Sequence, residues 1–124
     1  MRINGHFICL NSNDPDRLFA FYHDIIGLKA KPELGPRELD LGGAGTLGID
    51  GHSEIHGPDK EPARFILSLF VEDAKAERER LEALGVRFIR KEGIEYWGGI
   101  ISTFIDPDGN YCQMVAMGQA PATS

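Results

Sequence analysis

Cysteine is scarce in this chain. Only Cys9 and Cys112 occur, and no Cys-x-x-Cys spacing exists, which excludes a zinc knuckle or a thioredoxin-type motif. Both lie in apolar, strand-like runs and are expected as reduced, buried thiols. Long hydrophobic runs are also lacking. No stretch approaches the length of a membrane span, and the N-terminus has no signal-peptide apolar segment. No membrane partner is expected, and a cytoplasmic location follows by default. Positive charge is in deficit, with 13 Lys and Arg against 19 Asp and Glu, a formal net charge of −6. That balance argues against nucleic acid or an anionic membrane surface as partner and is compatible with a neutral or cationic small molecule. The glycines at 42, 43, 45 and 48 lack the Lys-Ser/Thr pair of a phosphate loop, so they read as turns and strand crossings.

What is present suits one domain. The 124 residues are 42% hydrophobic, enough for a real core. An internal repeat organises them. "HFICLNSNDPDRLFAFYHDIIGLKA" and "RFILSLFVEDAKAERERLEALGVRF" share one layout: an alternating strand, an Asp, an amphipathic helix, a Gly and another strand. Asp14 and Asp73 are N-cap residues, and Pro15 suits the first helical position. Leu18, Phe21, Tyr22, Ile25 and Ile26 form the apolar stripe of the first helix, and Ala74, Leu81 and Leu84 a weaker one in the second. Gly27 and Gly85 end the helices, the first being one residue longer. Strands are expected near 28–32, 37–41 and 46–50 in the first copy, and near 86–90, 100–105 and 111–116 in the second. The predicted fold class is α+β, with two βαβββ modules: module one about 1–51, a polar linker about 52–62, module two about 63–117, and a loose tail at 118–124.

Strand alternation assigns faces. Phe65, Leu67, Leu69 and Val71 should meet the second helix, leaving Ile66, Ser68, Phe70 and Glu72 on the other side. In the first copy Ile8 and Leu10 should face the helix, with Phe7, Cys9 and Asn11 opposite. His6 then points away from Phe7, because a one-residue slip inverts the face.

The motifs "NDPDRLFAFYHDIIGL" and "WGGIISTFIDPDGNYCQMV" resemble the vicinal oxygen chelate superfamily of glyoxalase I, extradiol dioxygenases and bleomycin- and fosfomycin-resistance proteins. The likeness covers nearly the whole chain. It implies curved sheets enclosing a shared cleft, often a homodimer, and in many members one divalent metal held by two side chains from each module, mostly His and Glu. Carried over by position, the four ligand sites fall on Phe7, on Gly48 or Asp50, on Ile66 and on Gln113. At most Asp50 supplies a charged donor, where zinc and octahedral sites want several His or carboxylates.

The expectation is therefore a small-molecule-binding, glyoxalase- or bleomycin-resistance-like protein with no cofactor. Phe7, Ile66, Phe70 and Trp97 would wall the cleft, and Asn11, Asp50, Ser68 and Gln113 would give polar contacts. The competing readings are that Gln113 satisfies neighbours inside the fold and that Trp97 is a core residue. The alternative is a metal-dependent lyase, isomerase or dioxygenase that uses a divalent ion as Lewis acid. A third reading is a non-metal enzyme using Asp50 or a cysteine as acid–base group. "HSEIH" at 52–56 carries two His at metal-binding spacing but lies in a Gly- and Pro-flanked linker, so a surface loop is expected.

Overall fold

The computed structural model describes residues 1–117, and the expected tail at 118–124 lies outside them. Two compact units divide at Gly57 and Pro58. Each contains one sheet and one helix, so the fold is α+β with one copy of the repeat per unit.

In the first unit, β1 (Ile8–Asn11), β2 (Glu38–Gly42) and β3 (Gly45–Asp50) form a sheet of order β1-β3-β2, with β1 parallel to β3. The helix α1 (Pro15–Ala20) starts at Asp14, whose carboxylate accepts the Arg17 N–H at 3.2 Å. Such a cap is worth about 1 kcal/mol. At residues 21–25 the helix widens into a π turn: the N–H groups of Ile26 and Gly27 donate five residues back, to Phe21 and Tyr22. This turn accommodates the one residue by which the first repeat exceeds the second. Leu18, Phe21 and Tyr22 are buried as the helical spacing requires, and so are Leu39, Leu47 and Ile49 of the sheet.

The strand expected at 28–32 is not formed. It is reduced to a single bridge between Ala30 and Leu39, flanked by Asp40 N–H donating to Lys29 and Lys31 N–H to Glu38. Pro32 has no N–H to extend the ladder, and Leu34 N–H turns back onto Lys31.

The second unit realises the full repeat. Its strands β4 (Leu67–Phe70), β5 (Arg87–Ile94), β6 (Gly99–Ile105) and β7 (Tyr111–Met117) lie in the order β4-β7-β6-β5. The helix α2 (Ala74–Ala83) is capped by Asp73, which accepts the Ala76 N–H at 3.0 Å. The β6–β7 turn is organised by buried Asp106, which accepts the Asp108 and Asn110 N–H groups, and by Gly109 at φ 82°. Leu81, Val86, Phe104, Cys112 and Met114 are buried. Three expectations are corrected. Leu84 is 53% exposed because it is the C-cap, past the last helical turn. Phe65 is 66% exposed because it precedes β4 and no ladder fixes its face. Cys9 is exposed, since its side of β1 lies opposite Ile8 and Leu10, while Cys112 is buried as expected.

Arg78 lies on the inner side of α2, and its guanidinium joins Glu82 and Glu92; Lys91 also bonds Glu82, at 2.8 Å. Glu92 further accepts the buried Ser102 hydroxyl at 3.1 Å. It sits in a bulge of β5 at φ 41°, a left-handed conformation unusual for a side-chain-bearing residue. Arg78 first, then Ser102, hold the Glu92 carboxyl below its ordinary 4.5, and Lys91 followed by Arg78 does the same for Glu82. Both carboxylates are more acidic folded than unfolded, so their contribution is complete above pH 4.5 and lost as pH falls below it. The urea midpoint should decline over that acid range, and the decline should be shallower in a Glu82→Gln, Glu92→Gln double variant. Identical profiles for the two proteins would remove the network from the account.

Candidate functional site

One face of the second sheet meets α2; its other, open face exposes Phe70 and Met117, while Ile101, Thr103 and Val115 within it are buried. Paired residues project to the same side, so the register places Ser68, Gln113, Thr103 and Arg90 in one row across all four strands of the open face. Gln113 Nε2 donates to Ser68 Oγ at 2.8 Å, which leaves the serine O–H and the Gln113 carbonyl directed at whatever else meets them. Phe70, two residues beyond Ser68, is 74% exposed, Trp97 44% and Met117 60%. Large apolar side chains left this open on one sheet face are the kind of surface that ligands cover. An open hollow of about 310 Å³ lies against Phe70, Val71, Glu72 and Met117. Ile66 is half-buried just before β4.

Two glycines shape this face, and neither was singled out from the sequence. Gly93 pairs with Ile101 and Gly99 with Met117, so both present their absent side chains here. A Cβ at Gly93 would overlap the Arg90 guanidinium, and one at Gly99 the six-membered ring of Trp97. Arg90 is held by Glu95 at 2.9 Å. The clue in the sequence was the run of glycines around Trp97, but only the strand pairing shows which side chain fills each gap.

The first sheet carries the other expected residues. Phe7 is exposed just before β1, and Asn11 is half-buried at its end and accepts the Cys9 thiol at 3.6 Å. His6 is exposed outside the strand. Gly48 pairs with Cys9 on one side and Glu38 on the other. A Cβ on Gly48 would lie 2.7 Å from Glu38 Oε2, so the Glu38 carboxylate occupies the space a ligand side chain at 48 would need. Glu38 lies on the neighbouring strand β2, ten residues before Gly48, and only the strand pairing brings it there. Asp50 is exposed, and its carboxyl is held below the usual range by the Gly51 N–H first and then by Arg37 at 3.3 Å. Arg37 also binds Asp16. A carboxylate stabilised in this way is a weak proton acceptor, which disfavours Asp50 as a general base.

At the four positions to which the resemblance carries a metal, the structure presents Phe7, Gly48 or the Arg37-bound Asp50, Ile66 and an amide already bonded to Ser68, a set poor in the His and carboxylate donors such a metal wants. Among the described residues, no group of three or more His, Cys, Asp or Glu is able to hold a metal ion. His52 and His56 lie in an exposed turn region, where His52 Nδ1 accepts the Glu54 N–H. No helix among these residues is long and apolar enough to cross a membrane.

Comparison with known proteins agrees with the topology. No curated protein sequence matches the chain. A glyoxalase/bleomycin resistance protein/dioxygenase from Nocardioides superposes with TM-score 0.70 at 17% identity, covering 100% of this chain and 89% of that one. TnmS3, an antibiotic binding protein from Streptomyces sp. CB03234, superposes with TM-score 0.69 at 23% identity, covering 94% and 98%. A glyoxalase/dioxygenase from Nostoc punctiforme gives 0.73 at 18% identity, covering 92% and 90%. At these identities the likeness establishes the fold. A family model matches residues 5–114, and by that match the chain belongs to the Glyoxalase/Bleomycin resistance protein/Dioxygenase superfamily.

Proposed function

We propose that this protein binds a small aromatic or amphipathic molecule on the open face of its second sheet, and does so without a metal ion. The observation that carries this reading is the exposed Phe70, Trp97 and Met117 on the sheet face that also holds the Ser68–Gln113 hydrogen bond. Apolar walls with a few polar groups are what a small-molecule site needs. Ile66, Phe70 and Trp97 would contact the rings of the ligand, and Ser68 and Gln113 its polar atoms. TnmS3, described as an antibiotic binding protein, lends support from within the same fold. A homodimer, the assembly the superfamily resemblance implies, belongs to this reading. Sedimentation as a 13.7 kDa monomer at micromolar concentration would remove that part.

A thermal-shift screen of planar aromatic compounds tests the function, because a ligand that binds only the folded state raises the melting temperature. At 100 times its dissociation constant such a ligand adds about 2.7 kcal/mol. Stabilisation is expected in the native protein and should be lost in Trp97→Ala. A screen with no stabilising compound would count against the proposal. Turnover of a glyoxalase or ring-cleavage substrate that appears only on adding Zn, Ni, Mn or Fe would replace it with the metalloenzyme alternative.

A further inference from the structure

The open face of the second sheet has an electrostatic polarity. Arg90 closes the row that begins at Ser68, and its guanidinium lies over Gly93. Glu95 engages Nη1. A guanidinium carries five N–H donors, so among the described residues the ion pair with Glu95 leaves Nε and Nη2 for a second acceptor. The Trp97 ring lies over Gly99 on the same face. Gly93 pairs with Ile101, and Gly99 is two residues before Ile101 on β6. The two cradles are therefore diagonal neighbours, about 7–8 Å apart. Ser68 adds a hydroxyl that already accepts from Gln113 and so has its proton to donate. Along this row the Arg90 guanidinium and the Ser68 hydroxyl are donors and the Gln113 carbonyl is an acceptor, and the guanidinium is the cation one cradle away from the Trp97 ring.

Resting on the small-molecule reading above, we propose that the ligand is an aromatic molecule with an acidic substituent, and that Arg90 is the residue that selects it. The ring of the ligand covers Trp97, and its carboxylate or similarly acidic oxygen meets Arg90, one cradle away. A guanidinium binds a carboxylate through paired N–H···O contacts, which an alcohol or an amine cannot reproduce. The net charge of −6 concerns the whole chain, whereas selection depends on the charge at the contact, so the acidic composition does not oppose an anionic ligand here. Gly93 and Gly99 are then required as spaces for two side chains. Neither has a left-handed backbone, so alanine fits the main chain at both positions and displaces only the side chain above it.

Three probes with one ring system separate the possibilities: 2-naphthoate, 2-naphthylmethanol and 2-naphthylmethylamine, titrated calorimetrically into the native protein. The acid should bind about tenfold more tightly than the alcohol, the worth of one charge-assisted contact, and the amine no better than the alcohol. Arg90→Met and, independently, Gly93→Ala should bring the acid-to-alcohol ratio close to one. Gly99→Ala should weaken all three probes while keeping the ratio. Equal binding of the three, preference for the amine, or a ratio that survives both Arg90→Met and Gly93→Ala would overturn the assignment of Arg90 and leave the site standing. Absence of binding by all three would overturn the assignment and the site together.

Discussion

Replacing Phe104 with alanine should remove about 3–5 kcal/mol of stability, the usual cost of truncating a buried phenylalanine. Phe104 is fully buried in β6, between Phe88 of β5 and Cys112 of β7. Its ring meets Phe88 edge-on, with centroids 5.6 Å apart, a geometry that adds about 0.5–1.5 kcal/mol beyond burial. The cavity left by alanine would open in the middle of the sheet, where β5 and β7 have little freedom to collapse into it. Domains of this size are stable by about 5–15 kcal/mol, so the melting temperature should fall by roughly 10–20 °C. Phe104→Leu, which keeps most of the volume, should cost under about 2 kcal/mol. Urea denaturation would measure both. A Phe104→Ala loss below about 1 kcal/mol would show that the second core does not depend on this ring.

Phe70→Asp should do the opposite: little to stability and much to binding. Phe70 is 74% exposed at the end of an edge strand, so its replacement should change stability by no more than about 0.5 kcal/mol. A bound aromatic molecule would cover the new carboxylate and take it out of water with no cation assigned to it. Desolvating an unpaired charge costs several kcal/mol, and even about 2 kcal/mol of that is a roughly 30-fold loss of affinity. Phe70→Leu, apolar and smaller, should retain most of the affinity. The measurement is a pair of titrations with any compound that stabilises the native protein, run beside thermal melts of both variants. Undiminished affinity in Phe70→Asp would move the ligand off this face. A large drop in melting temperature would instead make Phe70 a structural residue.

Much of the architecture was determined by the sequence alone, because it is written in short-range patterns. The Asp14 and Asp73 caps, the Leu18, Phe21 and Tyr22 stripe and the alternation of Leu67, Ser68, Leu69 and Phe70 each depend on neighbours within a few residues. The repeat followed from those patterns, and the superfamily from the resemblance of two motifs within it. At the positions the resemblance gives for a metal, Phe7, Gly48 or Asp50, Ile66 and Gln113, the scarcity of charged donors is a matter of residue identity alone. Other features depended on residues distant in sequence. The extra residue of the first helix became a π turn, and the strand near 28–32 shrank to one bridge where Pro32 ended its hydrogen bonding. Arg78 on the inner side of α2 made sense only once Glu92, in a bulge 14 residues later, came beside it. The same holds for the site. Ser68 and Gln113 are 45 residues apart and share a hydrogen bond. Glu38 fills the space over Gly48, Arg90 the space over Gly93 and Trp97 the space over Gly99. Strand register decides such meetings, and register follows from the pairing of the whole sheet, which no local run of residues encodes.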